Sequence, residues 1–214
     1  MLFKASVFSL LFFAIVLSAS AQENAAIYRS LSDYRMNVSQ LSGQILIEKV
    51  ADKQIDKWGV NDFKISSDVK ALRKVLKNEA WGVVVNDSLF LNCRRLNVGH
   101  FYTFAEEING EIFFLGGTTD EERYRQTSLL SATTGAVGAA MANAFLAVPR
   151  YWYVLNVESA KMEPLSDERM LIMLEEFPDL AEKYNKEPHK QGMITLKRYV
   201  TALRERFYSS SVKE

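Results

Sequence analysis

Four apolar runs separated by turn signals fill residues 81–115, and this pattern limits the fold more than any other part of the sequence. Residues 81–85 (WGVVV) are apolar and β-branched, and Asn86-Asp87 forms a two-residue turn signal. Residues 88–93 (SLFLNC) then alternate, with Leu89, Leu91 and Cys93 on one side and Phe90 on the other. Residues 102–108 (YTFAEEI) make a third run. Asn109-Gly110 supplies the φ > 0 pair of a type I′ hairpin, and residues 111–115 (EIFFL) return before Gly116-Gly117. Connections this short permit only antiparallel neighbours, so the spacing predicts a four-stranded meander. Phe90 and Phe113 have opposite parity to their apolar neighbours, which predicts cover on both faces of the sheet.

Residues 151–157 (YWYVLNV) have strong β composition and read as a fifth strand completing that sheet. Earlier strands are expected at 44–49 and, after the Trp58-Gly59 turn, at 61–65. Residues 28–36 suggest a turn or two of helix. A helix over 68–80 opens at Ser66 or Ser67, whose hydroxyls suit an N-cap, and Asp68 suits the positive helix end. Val69, Leu72, Val75 and Leu76 form its apolar face, with Lys70, Arg73, Lys74 and Lys77 opposite. That cationic row reads either as a solvated face or as an anion-binding helix. A second helix spans 166–177 with Ser166 as cap and Pro178 as breaker, and a short one runs over 179–184. The last, 194–207, carries Leu196, Tyr199, Val200, Leu203 and Phe207 as one stripe. Lys197, Arg198, Arg204 and Arg206 lie off the stripe and are expected on solvated surface. The expected fold class is therefore α+β, a single domain with an antiparallel meander packed by several helices.

The start of the chain reads as an export signal. Lys4 is a short positive region, residues 7–17 (VFSLLFFAIVL) are apolar, and Ala19-Ser20-Ala21 is a small-x-small cleavage site before Gln22. Residues 1–21 are thus expected to be removed, leaving one domain over 22–214. The alternative is an uncleaved anchor, although the apolar run is short for a spanning helix, which needs about 20 residues. The expected location is periplasmic or extracellular. Cys93 is the only cysteine, so no internal disulfide supports the fold.

Residues 126–149 (QTSLLSATTGAVGAAMANAFLAVP) carry no charge, in a chain that is 24% charged. As a helix, 127–148 would run about 33 Å. Ser131, Gly135, Gly138 and Ala142 would form a small-residue stripe, the spacing that lets two helix backbones approach closely. Arg125, Arg150 and the Tyr151-Trp152-Tyr153 cluster would then be interfacial anchors of a membrane span. Against a span stand Ser128, Ser131, Thr133, Thr134 and Asn143, together with two glycines that disfavour a helix. The other reading is a helix, or a helix and a glycine turn, packed on the sheet or on another subunit. Thr134 to Gly138 lacks both the Lys-Ser/Thr of a P-loop and the order of a dinucleotide turn.

Formal net charge is zero, which disfavours nucleic acid as a partner. His100 and His189 stand far apart and outside metal-ligand spacings, and no G-x-S-x-G elbow is present. Cys93, alternating with Leu89 and Leu91, is expected to be a buried inert thiol, even with Arg94 and Arg95 adjoining it. Glu106 and Glu107 are adjacent in a strand and should point to opposite faces, so they make a poor catalytic dyad. The other acidic pairs, in 120–122 and 175–176, read as solvated. A hydrolase site would have to be assembled from distant acids or from Cys93.

The helix running into Trp81-Gly82, the segment Asp87-Ser88-Leu89-Phe90-Leu91-Asn92 and the later alanine-glycine stretch resemble a group of exported bacterial proteins. These carry a signal peptide and a domain of unknown function of about this chain's mature length. The resemblance implies an exported compartment and one continuous fold, and it transfers no catalytic residue. The chain accordingly reads as a non-enzymatic binding or assembly module without cofactor or metal, its partner another protein or a second copy. A membrane-anchored protein spanning 127–148 is the alternative.

Overall fold

A computed structural model of the protein describes residues 23–51, 62–118 and 150–211. Both two-residue turns behave as their residue types require. Asn86 and Asp87 take φ of 47° and 61°, and Asn109 and Gly110 take 50° and 75°. These are paired positive-φ positions that match the twist of the flanking strands. They join β4 (Gly82–Val85) to β5 (Ser88–Asn92), and β6 (Tyr102–Ile108) to β7 (Glu111–Gly116). β8 (Tyr151–Asn156) pairs antiparallel with β7 along its length. The meander and its added strand are therefore as expected, and the protein has the α+β single-domain architecture read from its sequence.

The described sheet is larger than the meander, with nine strands. β1 (Glu23–Tyr28) and β9 (Met162–Pro164) were not anticipated. The helical turns expected over 28–36 form only at 31–35, and β1 precedes them. It lies between β4 and β2 (Leu41–Lys49), with β3 (Phe63–Ser66) beyond. The strand order is β3-β2-β1-β4-β5-β6-β7-β8-β9, and β3 pairs again with β6 through Phe63 and Tyr102. Strands β1 to β6 thus close into a ring through a seam of one residue pair. β6 serves both sides of that closure. Its first residue pairs with β3, and its C-terminal half pairs with β7.

Alternation assigns each strand residue to a core. Ala25, Ile27, Ile45, Ile65, Val83, Val85, Phe90 and Tyr102 fill the ring. Leu89, Leu91, Cys93, Ala105, Ile112, Phe114, Tyr153 and Leu155 form a second cluster on the opposite face. Phe113 and Val154 face a third, built with the C-terminal helices. Phe90 and Phe113 therefore do report cover on both faces.

Helix α1 (Leu31–Arg35) is held by a capping box between Ser30 and Asp33. Helix α2 (Lys70–Asn78) sends Leu76 into the ring, with Ala80 just beyond its end. Its expected serine cap is not formed. Val69 is the N-cap, and the Ser67 hydroxyl before it accepts the Val69 N–H at 3.3 Å while donating to the Gln44 carbonyl at 2.9 Å, which binds the helix entry to β2. Val69, placed on the apolar face from spacing, precedes the first helical residue and is exposed. Helix α3 (Asp167–Leu174) is capped by Ser166 as expected, and its first residue accepts a 2.8 Å bond from Tyr184 of α4 (Pro178–Asn185). Pro178 opens α4 at its first turn rather than breaking α3, a position where its missing N–H costs nothing. In α5 (Met193–Ser211), Leu196, Tyr199, Val200 and Leu203 are buried as the stripe predicts. The basic residues beside them are not merely solvated. Arg198 pairs with Glu187, Arg204 with Glu106 at 2.9 Å and Arg206 with Asp179 at 2.6 Å.

The expected signal sequence, the turn at Trp58-Gly59, the acids of 120–122 and the uncharged stretch 126–149 lie outside the described residues. So do Ser131, Gly135, Gly138 and Ala142. Among the described residues, no helix is long and apolar enough to cross a membrane. The residues read as interfacial anchors after the stretch have other duties. Arg150 makes a two-pronged ion pair with Asp62, both contacts 3.0 Å. Trp152 Nε1 donates to the Met193 carbonyl, and Tyr153 is buried with its hydroxyl on the Gly117 carbonyl.

Candidate functional site

The seam between β3 and β6 opens immediately after its single pair. Continuing the antiparallel register from Phe63 and Tyr102 would set Lys64 opposite Phe101 and Ile65 opposite His100. That pairing is absent, because the chain before β6 turns away. Phe101 has φ of 66°, an uncommon conformation for a bulky residue, and its carbonyl instead accepts the Cys93 N–H at 3.0 Å. The gap between β3 and residues 100–102 is spanned by α2. What remains is a cavity of about 410 Å³, within the size range of small-molecule sites.

Its walls divide by chemistry. Ile65, Leu76, Phe101 and Tyr102 supply a mostly apolar lining. Lys64, Arg73, Lys77, Arg94 and His100 also line it, and no acidic residue does among the described residues. The floor is rigid. Tyr102 donates its hydroxyl to the Leu76 carbonyl at 2.6 Å. Asn92, 2% exposed, donates Nδ2 to the carbonyls of Leu76 and Ala80 at 3.1 and 2.9 Å, and accepts the Arg94 N–H at 3.2 Å. The last carbonyls of a helix have no partner within it. Here side chains from β5 and β6 satisfy that of Leu76, Asn92 also bonds the Ala80 carbonyl just beyond the helix, and together they clamp α2 across the seam. Burial pushes the Tyr102 hydroxyl pKa well up, so it stays a neutral donor.

The cations are not equivalent. Lys64 pairs with Glu48 at 3.2 Å. Arg73 places its guanidinium on the backbone carbonyls of Ser67 and Asp68 at 2.8 and 3.3 Å. Lys77, Arg94 and His100 have no side-chain hydrogen bond or ion pair among the described residues.

Of the cationic row on α2, Arg73 and Lys77 reach the cavity, whereas Lys70 and Lys74 do not line it and are exposed. All four are exposed, as the solvated reading expects, and two of them also stand at the cavity. His100 is exposed on the turn before β6, as expected, but at the cavity. Sequence reasoning did not identify Lys64, Asn92, Phe101 or Tyr102 as site residues. Their one local signal is the unpaired length between two strand runs.

The other chemistry-bearing residues lie elsewhere. Cys93 is fully buried and free, and desolvation drives its thiol pKa far up despite the opposing pull of Arg150. This is the inert thiol expected. Glu106 and Glu107 do face opposite sides: Glu106 meets Arg204 of α5, and Glu107 accepts the Tyr34 hydroxyl at 2.6 Å. Glu175 and Glu176 are exposed or partly exposed at the end of α3. Glu106 and Glu107 nevertheless line one surface cavity together with Asp87. Among the described residues, no group of three or more His, Cys, Asp or Glu is placed to hold a metal.

A closed ring of antiparallel strands with helices on its flank and a cation-rimmed cavity at its seam defines a small α+β domain. The chain belongs to DUF6563, a family of unknown function whose model matches residues 26–206. No curated protein and no solved structure matches it.

Proposed function

We propose that the protein is an exported, non-enzymatic binding module that holds a small anionic ligand in the cavity beside the β3–β6 seam. The observation that carries this reading is the apolar cavity of about 410 Å³ with Lys77, Arg94 and His100 on its walls and unneutralised among the described residues. All three are exposed and hydrated, and an anion seated among them would exchange that water for charge-assisted hydrogen bonds beside apolar surface. The floor is held by hydrogen bonds before any ligand arrives, which lowers the ordering cost of binding. Export rests on the N-terminal pattern that ends at Ala19-Ser20-Ala21.

Anilinonaphthalene sulfonate, an apolar ring system with one negative charge, tests the binding half. A saturable one-to-one fluorescence rise is expected with the native mature chain. Lys77→Ala and Arg94→Ala should each weaken it about tenfold, as loss of one charged contact does. Fluorescence that does not saturate, or that ignores both substitutions, removes the cavity from consideration.

Fractionation of a C-terminally tagged chain in a Gram-negative host tests the other half. Release from the periplasm, with a new N-terminus at Gln22, is expected. Retention in a carbonate-washed membrane pellet with the tag cytoplasmic would instead assign residues 127–148 as a span.

A further inference from the structure

We infer that the seam cavity takes a phosphomonoester dianion attached to an apolar body, an inference that rests on the binding reading above. The charge count points to the head group. Glu48 already offsets Lys64, and the guanidinium of Arg73 is committed to two backbone carbonyls. Those neutral carbonyls orient the Arg73 guanidinium without cancelling its charge, so Arg73, Lys77 and Arg94 leave three positive charges on the wall, with the His100 imidazole beside them. A carboxylate would offset only one of these charges. A phosphomonoester brings close to two negative charges at neutral pH, and three acceptor oxygens.

The placement of these groups fits the same head. Lys77 comes from α2, Arg94 from the turn after β5, and His100 from the turn before β6. Donors arriving from three separate elements suit a tetrahedral group with several oxygens. A planar carboxylate is met as well by one guanidinium fork. Arg94 is seated by the bond from its own N–H to Asn92, and Lys77 lies one residue beyond Leu76, whose carbonyl carries the clamp.

The lining identifies the rest of the ligand. The hydroxyl of Tyr102 is taken by the Leu76 carbonyl, so its ring acts as apolar surface beside Ile65 and Leu76. Phe101 is 38% exposed at the cavity and held there by a left-handed backbone. Strained conformations of this kind persist where the surroundings enforce them, and they cluster at ligand sites. A volume of about 410 Å³ corresponds to roughly 14 waters at about 30 Å³ each. That is room for a phosphate with a bicyclic ring or a short alkyl chain.

Calorimetry on the mature chain at pH 8 tests the inference with four probes: 1-naphthyl phosphate, hexyl phosphate, 1-naphthoate and inorganic phosphate. At least one of the two phosphoesters should bind ten or more times tighter than both naphthoate and inorganic phosphate. Whichever of the two binds tighter separates an aromatic phosphoester from a lipid-type one. Arg94→Ala should weaken the phosphoester at least tenfold and naphthoate less. Both Arg94 and Lys77 are exposed, so an unchanged urea midpoint certifies the variants as folded. Naphthoate binding as tightly as naphthyl phosphate overturns the dianion while leaving the binding reading intact. Inorganic phosphate binding as tightly as either ester overturns the apolar body. Silence of all four probes with saturable anilinonaphthalene sulfonate binding overturns the inference alone, and silence of that probe as well overturns both.

Discussion

Asp62→Ala is expected to destabilise the protein by about 3 kcal/mol, the low end of the range for breaking a mostly buried ion pair by removing one partner. Asp62 stands just before β3 and Arg150 just before β8, and the two meet through paired 3.0 Å contacts. The side chains are 24% and 13% exposed, so Arg150 has little water to fall back on when its partner is lost. Its Nε is buried and already without a hydrogen-bond partner among the described residues. The backbone bond from the Val50 N–H to the Asp62 carbonyl, 2.7 Å, does not involve the side chain and is kept in the variant. The double replacement Asp62→Leu with Arg150→Met should lie within about 1 kcal/mol of the parent, because an apolar pair needs no compensation for desolvation. Urea denaturation of Asp62→Leu, Arg150→Met and the double gives the coupling directly. A single Asp62→Ala variant with an unchanged midpoint would show that the pair is solvated and contributes little.

Asn92→Ala should cost a similar amount, about 3 kcal/mol, from three hydrogen bonds at about 1 kcal/mol each. Its carboxamide is buried between the end of α2 and the turn that follows β5. Truncation strips the Ala80 carbonyl of its side-chain donor, whereas the Leu76 carbonyl keeps Tyr102. Asn92→Asp is expected to be no milder. The carboxylate could still accept the Arg94 N–H, but it would face two carbonyls with no proton to offer. Because the same amide holds α2 across the seam, the variant should also weaken anilinonaphthalene sulfonate binding. A variant that unfolds at the parental urea midpoint would mean α2 is positioned by its apolar face alone.

Where the sequence carries local instructions, they were legible. Asn86-Asp87 and Asn109-Gly110 select turns that only antiparallel neighbours can use, and β4 to β7 follow from them. Alternation placed Cys93 with Leu89 and Leu91, and parity separated Glu106 from Glu107. β1 was missed because residues 23–28 (ENAAIY) include two alanines, poor in β propensity, and are a strand only by virtue of lying between β2 and β4. β9 has three residues and ends in proline, too short for any periodic signal. Helix bounds shifted where a side chain found a tertiary partner, as Ser67 did on Gln44.

The candidate site divides along the same line. Its cations are visible in the sequence, and the row on α2 was singled out from helical spacing. Which of them meet was not visible, because their convergence depends on a seam of one residue pair between strands separated by α2, β4 and β5. The sequence by itself determined strand alternation, hairpin turns, the helix stripes and the inert setting of Cys93, since each depends on residues within a few positions of one another. Only the tertiary structure decided that β3 returns to β6, that Asn92 and Tyr102 clamp α2, and that Lys77, Arg94 and His100 share one cavity. Those contacts join parts of the chain that no local periodicity relates, and burial and hydrogen-bond satisfaction over the whole ring select them.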